Sequence, residues 1–226
     1  MKLCYLSFIF LLIAYSNVFA QKDERAKQIL AQVSSKYKTY DVIKTGFIYT
    51  IESPQAKSKE TQSGTLLSKT RTNKFKVTLY DGSNLKTSSI VQELISDGKQ
   101  QWTYLKKDNE VQINNASPAD EALNPAHVFT MYEKGFKYVY TGEQKVGVTT
   151  YQVIDMTPTD TKKSFFKVRL MINKVKSQIY SAMVFDKNGN KYTYTLQSFL
   201  SSFKTTDDAF TFNVKAHPGV EVVDLR

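Results

Sequence analysis

From about position 44 to the C-terminus, apolar and aromatic residues fall on every second position, in short runs separated by turn signals. Phe47, Tyr49 and Ile51 alternate with Ile48 and Thr50, and Phe75, Val77 and Leu79 alternate with Lys74, Lys76 and Thr78. A period of two puts one set of side chains on each face of a strand, so each run reads as a half-buried β-strand. Further runs are Thr65–Lys69, Ser89–Ser96, Gln101–Leu105, Phe136–Thr141, Thr149–Met156, Ser164–Asn173, Gln178–Asp186, Lys191–Phe199 and Phe210–Asn213. Asp81-Gly82, Asp97-Gly98 and Asn188-Gly189 stand between runs, and such steps are strong hairpin signals. The pattern predicts about eleven or twelve antiparallel strands in a mainly β (α+β) chain. A sheet that large must curl, close or split to bury its apolar face, which predicts an incomplete barrel. The load of 14 Tyr and 14 Phe against one Trp suits such a sheet.

Two segments break the period. Over Lys22–Tyr40, the residues Ala26, Ile29, Leu30, Val33 and Tyr37 form one stripe of an amphipathic helix. Ala116–Lys134 reads as a second helix, with Pro118 and Pro125 at first-turn positions, Gly135 as its stop, and Val128, Phe129 and Tyr132 on its apolar side. Both are expected to lie across the concave face of the sheet as a helical lid. Residues 1–20 carry the marks of an export signal: Lys2, the apolar run Leu3–Tyr15, and Val18-Phe19-Ala20 before Gln21. Cleavage after Ala20 would leave a single domain, 21–226, in the periplasm. The one cysteine, Cys4, lies within the signal, so no disulfide is expected in the mature chain.

The formal net charge of +10 is spread over strand-like segments and not gathered in one block, and no zinc, helix-turn-helix or RNP pattern accompanies it. Nucleic acid is not an expected partner. Catalytic patterns are missing too. The two histidines, His127 and His217, are far apart, and no Gly-x-Ser-x-Gly, His-Glu-x-x-His, P-loop or dinucleotide turn occurs. Asp186-Lys187-Asn188-Gly189-Asn190 lacks the downstream Glu of a calcium loop and reads as a hairpin turn. No catalytic residue, metal or cofactor is expected.

Ser96-Asp97-Gly98-Lys99-Gln100-Gln101-Trp102-Thr103-Tyr104 resembles the Ser-Asp-Gly-Lys-x-x-Trp-x-Tyr segment of the LolA family, the periplasmic carriers of outer-membrane lipoproteins. Phe210-Thr211-Phe212 with Pro218-Gly219-Val220-Glu221-Val222 and Asp224 resembles that family's C-terminal ending, in a form most like that of the Bacteroidetes. The resemblance implies a half-barrel whose apolar cavity receives acyl chains. Expected lining residues are Phe47, Tyr49, Ile51, Phe75, Val77, Leu79, Trp102, Val128, Phe129, Tyr132, Phe166, Phe185, Tyr194 and Phe212. For Trp102, a core role under the helix is the equal alternative. The family's lid-contacting arginine follows a Gly-x-Leu strand. Gly64-Thr65-Leu66 leads here to Arg71, with Lys69 as the competing candidate. Implied partners are acylated lipoproteins, an inner-membrane lipoprotein-releasing ABC transporter and an outer-membrane acceptor, with the carrier itself a monomer. The alternative is a lipid- or glycolipid-binding module, or a sensor, of the same fold without transfer activity.

Overall fold

The computed structural model describes residues 23–84, 88–116, 132 and 134–226. The expected export signal and most of the expected second helix, including Val128 and Phe129, lie outside the described residues. A helix, α1 (23–38), precedes twelve strands: β1 (Val42–Ser53), β2 (Ser58–Lys69), β3 (Lys74–Tyr80), β4 (Ile90–Asp97), β5 (Gln100–Leu105), β6 (Glu110–Asn115), β7 (Phe136–Val146), β8 (Thr149–Pro158), β9 (Phe165–Asn173), β10 (Gln178–Asp186), β11 (Lys191–Leu200) and β12 (Glu221–Asp224). Two 3-10 helices, Asp207–Phe210 and Val214–Ala216, lie between β11 and β12.

All twelve strands form one sheet, in the order β12-β6-β5-β4-β3-β2-β1-β11-β10-β9-β8-β7. Each neighbouring pair is antiparallel except β12 with β6, which is parallel. The sheet is therefore two meanders, β1–β6 and β7–β11, joined where β11 returns to pair with β1. It does not close, because β12 and β7 remain as edges. Ten strand spacings separate β6 from β7, roughly 48 Å in a flat sheet. Bulges supply curvature: Thr141 in β7, Tyr180 in β10 and Gln197 in β11 each sit opposite a break in pairing register.

Hairpin chemistry follows the turn residues. Gly98 has φ of 91° in the β4–β5 turn, a value open to glycine, while the Asp97 carboxylate accepts from the N–H groups of Lys99 at 2.8 Å and Gln100 at 2.7 Å. Gly64 answers a different need. It pairs with Phe47, whose ring lies over it so closely that an added Cβ would stand 2.3 Å from the ring carbon Cζ.

The stripe on α1 packs against one face of the sheet, called here the inner face. Ala26, Ile29, Leu30, Val33 and Tyr37 are all buried there with Phe47, Leu66, Phe75, Val77, Ile154, Leu170 and Tyr194. Full burial of Ile29, Leu30 and Val33 contributes about 1.5–3 kcal/mol each. Tyr37 also accepts a 3.0 Å hydrogen bond from the N–H of Ile179, beside the Tyr180 bulge, which ties the helix to the bend.

Three expectations need correction. Phe210–Asn213 is not a strand, since Phe210 closes a 3-10 helix and Phe212 follows it. Two aromatics one residue apart imitate a strand, yet both pack onto the sheet from outside it. Two strands that the alternation does not mark, β6 and β12, take their place in the count, and both are short with little apolar alternation. Finally, Trp102 lies beneath neither α1 nor the inner face. Phe75 pairs with Ser96 and Ser96 with Gln101, so Trp102, one residue on, points to the opposite face.

Candidate functional site

The inner face is a broad apolar surface with two zones. Under α1 it is sealed: Phe47, Phe75, Val77 and Tyr194 are each at most 5% exposed. Toward the β1–β2 turn the same rows continue as Tyr49, Leu79 and Tyr192, and sideways from Val77 as Leu94; all four are half-buried and pack on the border of the core. Ile51, the next residue of the β1 row, is also half-buried. Aromatic stacking stiffens this shelf, with ring centroids 4.7 Å apart for Tyr49–Tyr194 and 6.5 Å for Tyr49–Tyr192. Phe47 meets Tyr194 edge-on at 5.9 Å. Burial pushes the phenols of Tyr49 and Tyr194 up from the ordinary tyrosine value, so both are neutral at physiological pH. Lys74, Lys76, Lys167 and Arg169 all project from the other, outer face, as the pairing register requires. The charges near these rows are Asp186, which accepts from the Tyr192 hydroxyl at 3.5 Å, and Glu60 opposite Ile51; the apolar rows between them suit hydrocarbon.

Beside α1 the inner face opens into a cleft of about 320 Å³, lined by Lys27, Leu30, Ala31, Ser34 and Lys38 of α1, Tyr132, Lys134, and Tyr138 of β7. That volume is at the lower end of the range for small-ligand sites. Tyr132 is the one lining residue expected from the second helix that is described, and it is buried in the inner core. Arg25 closes the α1–β7 side. Its guanidinium lies 4.1 Å from the Tyr140 ring centroid and 3.5 Å from Glu143, which also binds Lys174 at 2.8 Å. The Lys174 hydrogen bond, above all, holds the Glu143 carboxyl below its ordinary value.

The outer face holds a second, smaller core. Ile95, Trp102, Tyr104 and Val111 are covered by Phe212, with His217 stacked 4.4 Å from Phe212 and edge-on to Tyr104 at 4.7 Å. His217 is thus an aromatic packing residue. Phe166 and Phe185 are also outside the inner core. Phe166 is a bulge residue that is 49% exposed, and Phe185 pairs with Lys167, whose ammonium sits over its ring at 4.0 Å. Trp102, Phe166, Phe185 and Phe212 therefore do not belong to the surface that gathers the other described lining residues.

Arg71 is exposed in the β2–β3 turn and forms no hydrogen bond or ion pair among the described residues. Lys69 lies on the outer face, where it and Lys74 bind Asp207 at 3.0 and 2.7 Å. These pairs hold the C-terminal segment, not a lid on the inner face. What sequence reasoning missed at the shelf are Leu94 and Tyr192. Leu94 shares the Val77 row and Tyr192 the Ile51 row, positions that only the strand pairing reveals. No group of three or more metal-ligating side chains occurs among the described residues.

A family model described as outer membrane lipoprotein carrier protein LolA matches residues 38–213. An uncharacterized conserved protein from Thermus thermophilus superposes over 88% of this chain and 99% of its own, at a TM-score of 0.54 and 12% identity. A LolA superfamily protein from Nitrosomonas europaea covers 83% of this chain and 97% of its own at 12% identity and a TM-score of 0.44. LprF from Mycobacterium bovis covers 81% and 96%, at 12% identity and a TM-score of 0.48. At 12% identity the likeness to the Thermus thermophilus protein is one of fold. No curated protein matches the chain in sequence.

Proposed function

The chain belongs to the LolA family of outer membrane lipoprotein carrier proteins, and from that premise we propose that it ferries lipoproteins across the periplasm with their acyl chains on the inner face. The observation that carries this reading is the half-buried shelf of Tyr49, Ile51, Leu79, Leu94 and Tyr192, which continues a sealed core without any charge of its own. Each methylene removed from water is worth about 0.8 kcal/mol, so a chain with about fifteen buried methylenes gains about 12 kcal/mol. A carrier must also release its cargo, and rigid stacked rings that fit flexible chains imperfectly keep that gain from being realised in full.

Carrying a lipoprotein calls for no covalent chemistry. Any ATP would be spent by an inner-membrane ABC transporter that loads the carrier. An outer-membrane acceptor would receive the cargo. Residues 1–20 would direct export and be removed after Ala20. Arg71, exposed in the β2–β3 turn, would contact a lid formed by the 116–134 segment in one state of the loading cycle.

Native mass spectrometry of the protein purified from its own periplasm tests the proposal. A bound species carrying the mass of a diacyl or triacyl lipoprotein is the expected result. Consistent recovery of free protein, with no transfer of a lipoprotein from inner to outer membranes in reconstitution, would overturn it. A glycolipid or phospholipid bound in its place would support the binding-module alternative.

A further inference from the structure

The exposed apolar residues are not spread evenly. The β7–β8 and β9–β10 hairpins end side by side, tied by a 3.1 Å hydrogen bond from the Lys174 N–H to the Thr150 carbonyl. Val148 at one tip is 103% exposed and Val175 at the other 92%, the two highest values among the described large apolar residues. Leu200, 56% exposed, ends β11 on the same rim of the sheet. Hairpin tips ordinarily carry Gly, Asn, Asp or Ser, and neither valine packs on anything that would explain it.

Cations surround these tips. Lys145 precedes Val146-Gly147-Val148, while Lys174 and Lys176 flank Val175. Lys36 at the end of α1 reaches the same place, its ammonium donating to the Lys176 carbonyl. The acidic residue nearby, Glu143, is already bound by Arg25 and Lys174. No described helix is long and apolar enough to cross a membrane.

We propose that this rim docks on an anionic lipid surface, Val148 and Val175 entering the headgroup boundary while Lys145 and Lys176 face lipid phosphates. Apolar tips ringed by lysine are complementary to such a surface, whose attraction amounts to about fivefold in affinity per lysine near it. This assignment goes beyond the cargo reading and does not depend on what the inner face carries.

Co-sedimentation of the purified protein with phosphatidylcholine vesicles, with and without phosphatidylglycerol, tests it. Binding should require the anionic lipid and weaken steeply with salt. Val148→Ser/Val175→Ser should weaken it about tenfold, and Lys145→Gln/Lys176→Gln about twentyfold. Val214→Ser, at a valine 47% exposed on the C-terminal 3-10 helix, should change nothing. All these positions are exposed, so circular dichroism should show every variant folded. Absence of binding to anionic vesicles, equal binding to neutral ones, wild-type affinity in either double variant, or an equal loss in Val214→Ser would each overturn the proposal. The inner face should bind acyl probes normally in every variant, so a failure of cargo binding is scored separately.

Discussion

The two faces of the sheet have cores that end differently. On the outer face, Trp102, Tyr104, Ile95 and Val111 are closed off by Phe212 and His217, and charges lock the cover in place. Lys69 and Lys74 grip Asp207, while Lys76 binds the buried Glu93 at 2.7 Å and Thr78 donates to the same carboxylate at 3.2 Å. On the inner face the core runs on past α1 into rows of half-buried Tyr49, Leu79, Leu94 and Tyr192, and the ion pair described there, Arg25 with Glu143, closes the α1–β7 side and not these rows. A core that exists only for stability ends in polar closure. One that stops with its apolar rows half-uncovered keeps surface for something else to cover.

The contrast breaks most sharply in stability. Phe47→Ala should cost about 3–5 kcal/mol, because it empties a site that is 1% exposed beneath α1 and above Gly64. Denaturant unfolding measures it, and a loss below about 1 kcal/mol would mean the inner core repacks freely. Glu93→Ala on the outer face should cost about 2–3 kcal/mol, less than a fully buried pair, since Lys76 at 32% side-chain exposure can turn to water. Thermal unfolding of the Lys76→Met/Glu93→Leu double variant sharpens this. If the carboxylate matters only through its partners, the double variant should recover most of the loss.

The faces should also fail at opposite ends of the pH scale. Burial raises the phenols of Tyr37, Tyr49 and Tyr194, so the folded state favours their neutral forms. That stability is complete below the ordinary tyrosine value of 10.0 and is lost as pH climbs above it. Asp207 is the reverse case. Hydrogen bonds from Lys74 and Lys69 lower its carboxyl, so its contribution is complete above the ordinary aspartate value of 3.8 and is lost as pH falls below it. An Asp207→Asn variant should therefore differ slightly from wild type at neutral pH and converge with it in acid. This is the smallest effect expected, since the carboxylate is solvent-exposed. Convergence in alkali instead would assign the acid-sensitive contact to another group.

Much of this architecture is legible in the residues. The stripe of α1 marks both the helix and its buried side, and Phe75-x-Val77-x-Leu79 between lysines marks the face of β3. The hairpins follow from Asp97-Gly98 and Asn188-Gly189. Which strands share a face is harder to read. The face of Trp102 relative to Phe75 depends on the register across the long β3–β4 connection, and no local pattern encodes it. In β10, Ala182 and Val184 alternate with Met183 and Phe185, so both faces read as apolar and the pattern assigns Phe185 to the wrong one. Phe166 turns on a bulge, where one extra residue redirects a side chain. The lining residues on β1 and β3 are accessible from the pattern because polar or charged neighbours mark the opposite face there.

The proposed division of labour puts acyl chains on the inner shelf and leaves the outer core only to stabilise. Displacement of a fluorescent long-chain fatty acid tests it most directly, with Leu79→Glu compared against Trp102→Phe under conditions where circular dichroism shows both folded. Leu79→Glu should weaken binding at least tenfold, since a carboxylate would then sit among the half-buried rows, and Trp102→Phe should lower the unfolding midpoint yet leave affinity unchanged. Wild-type affinity in Leu79→Glu, or a comparable loss in Trp102→Phe, would contradict the account.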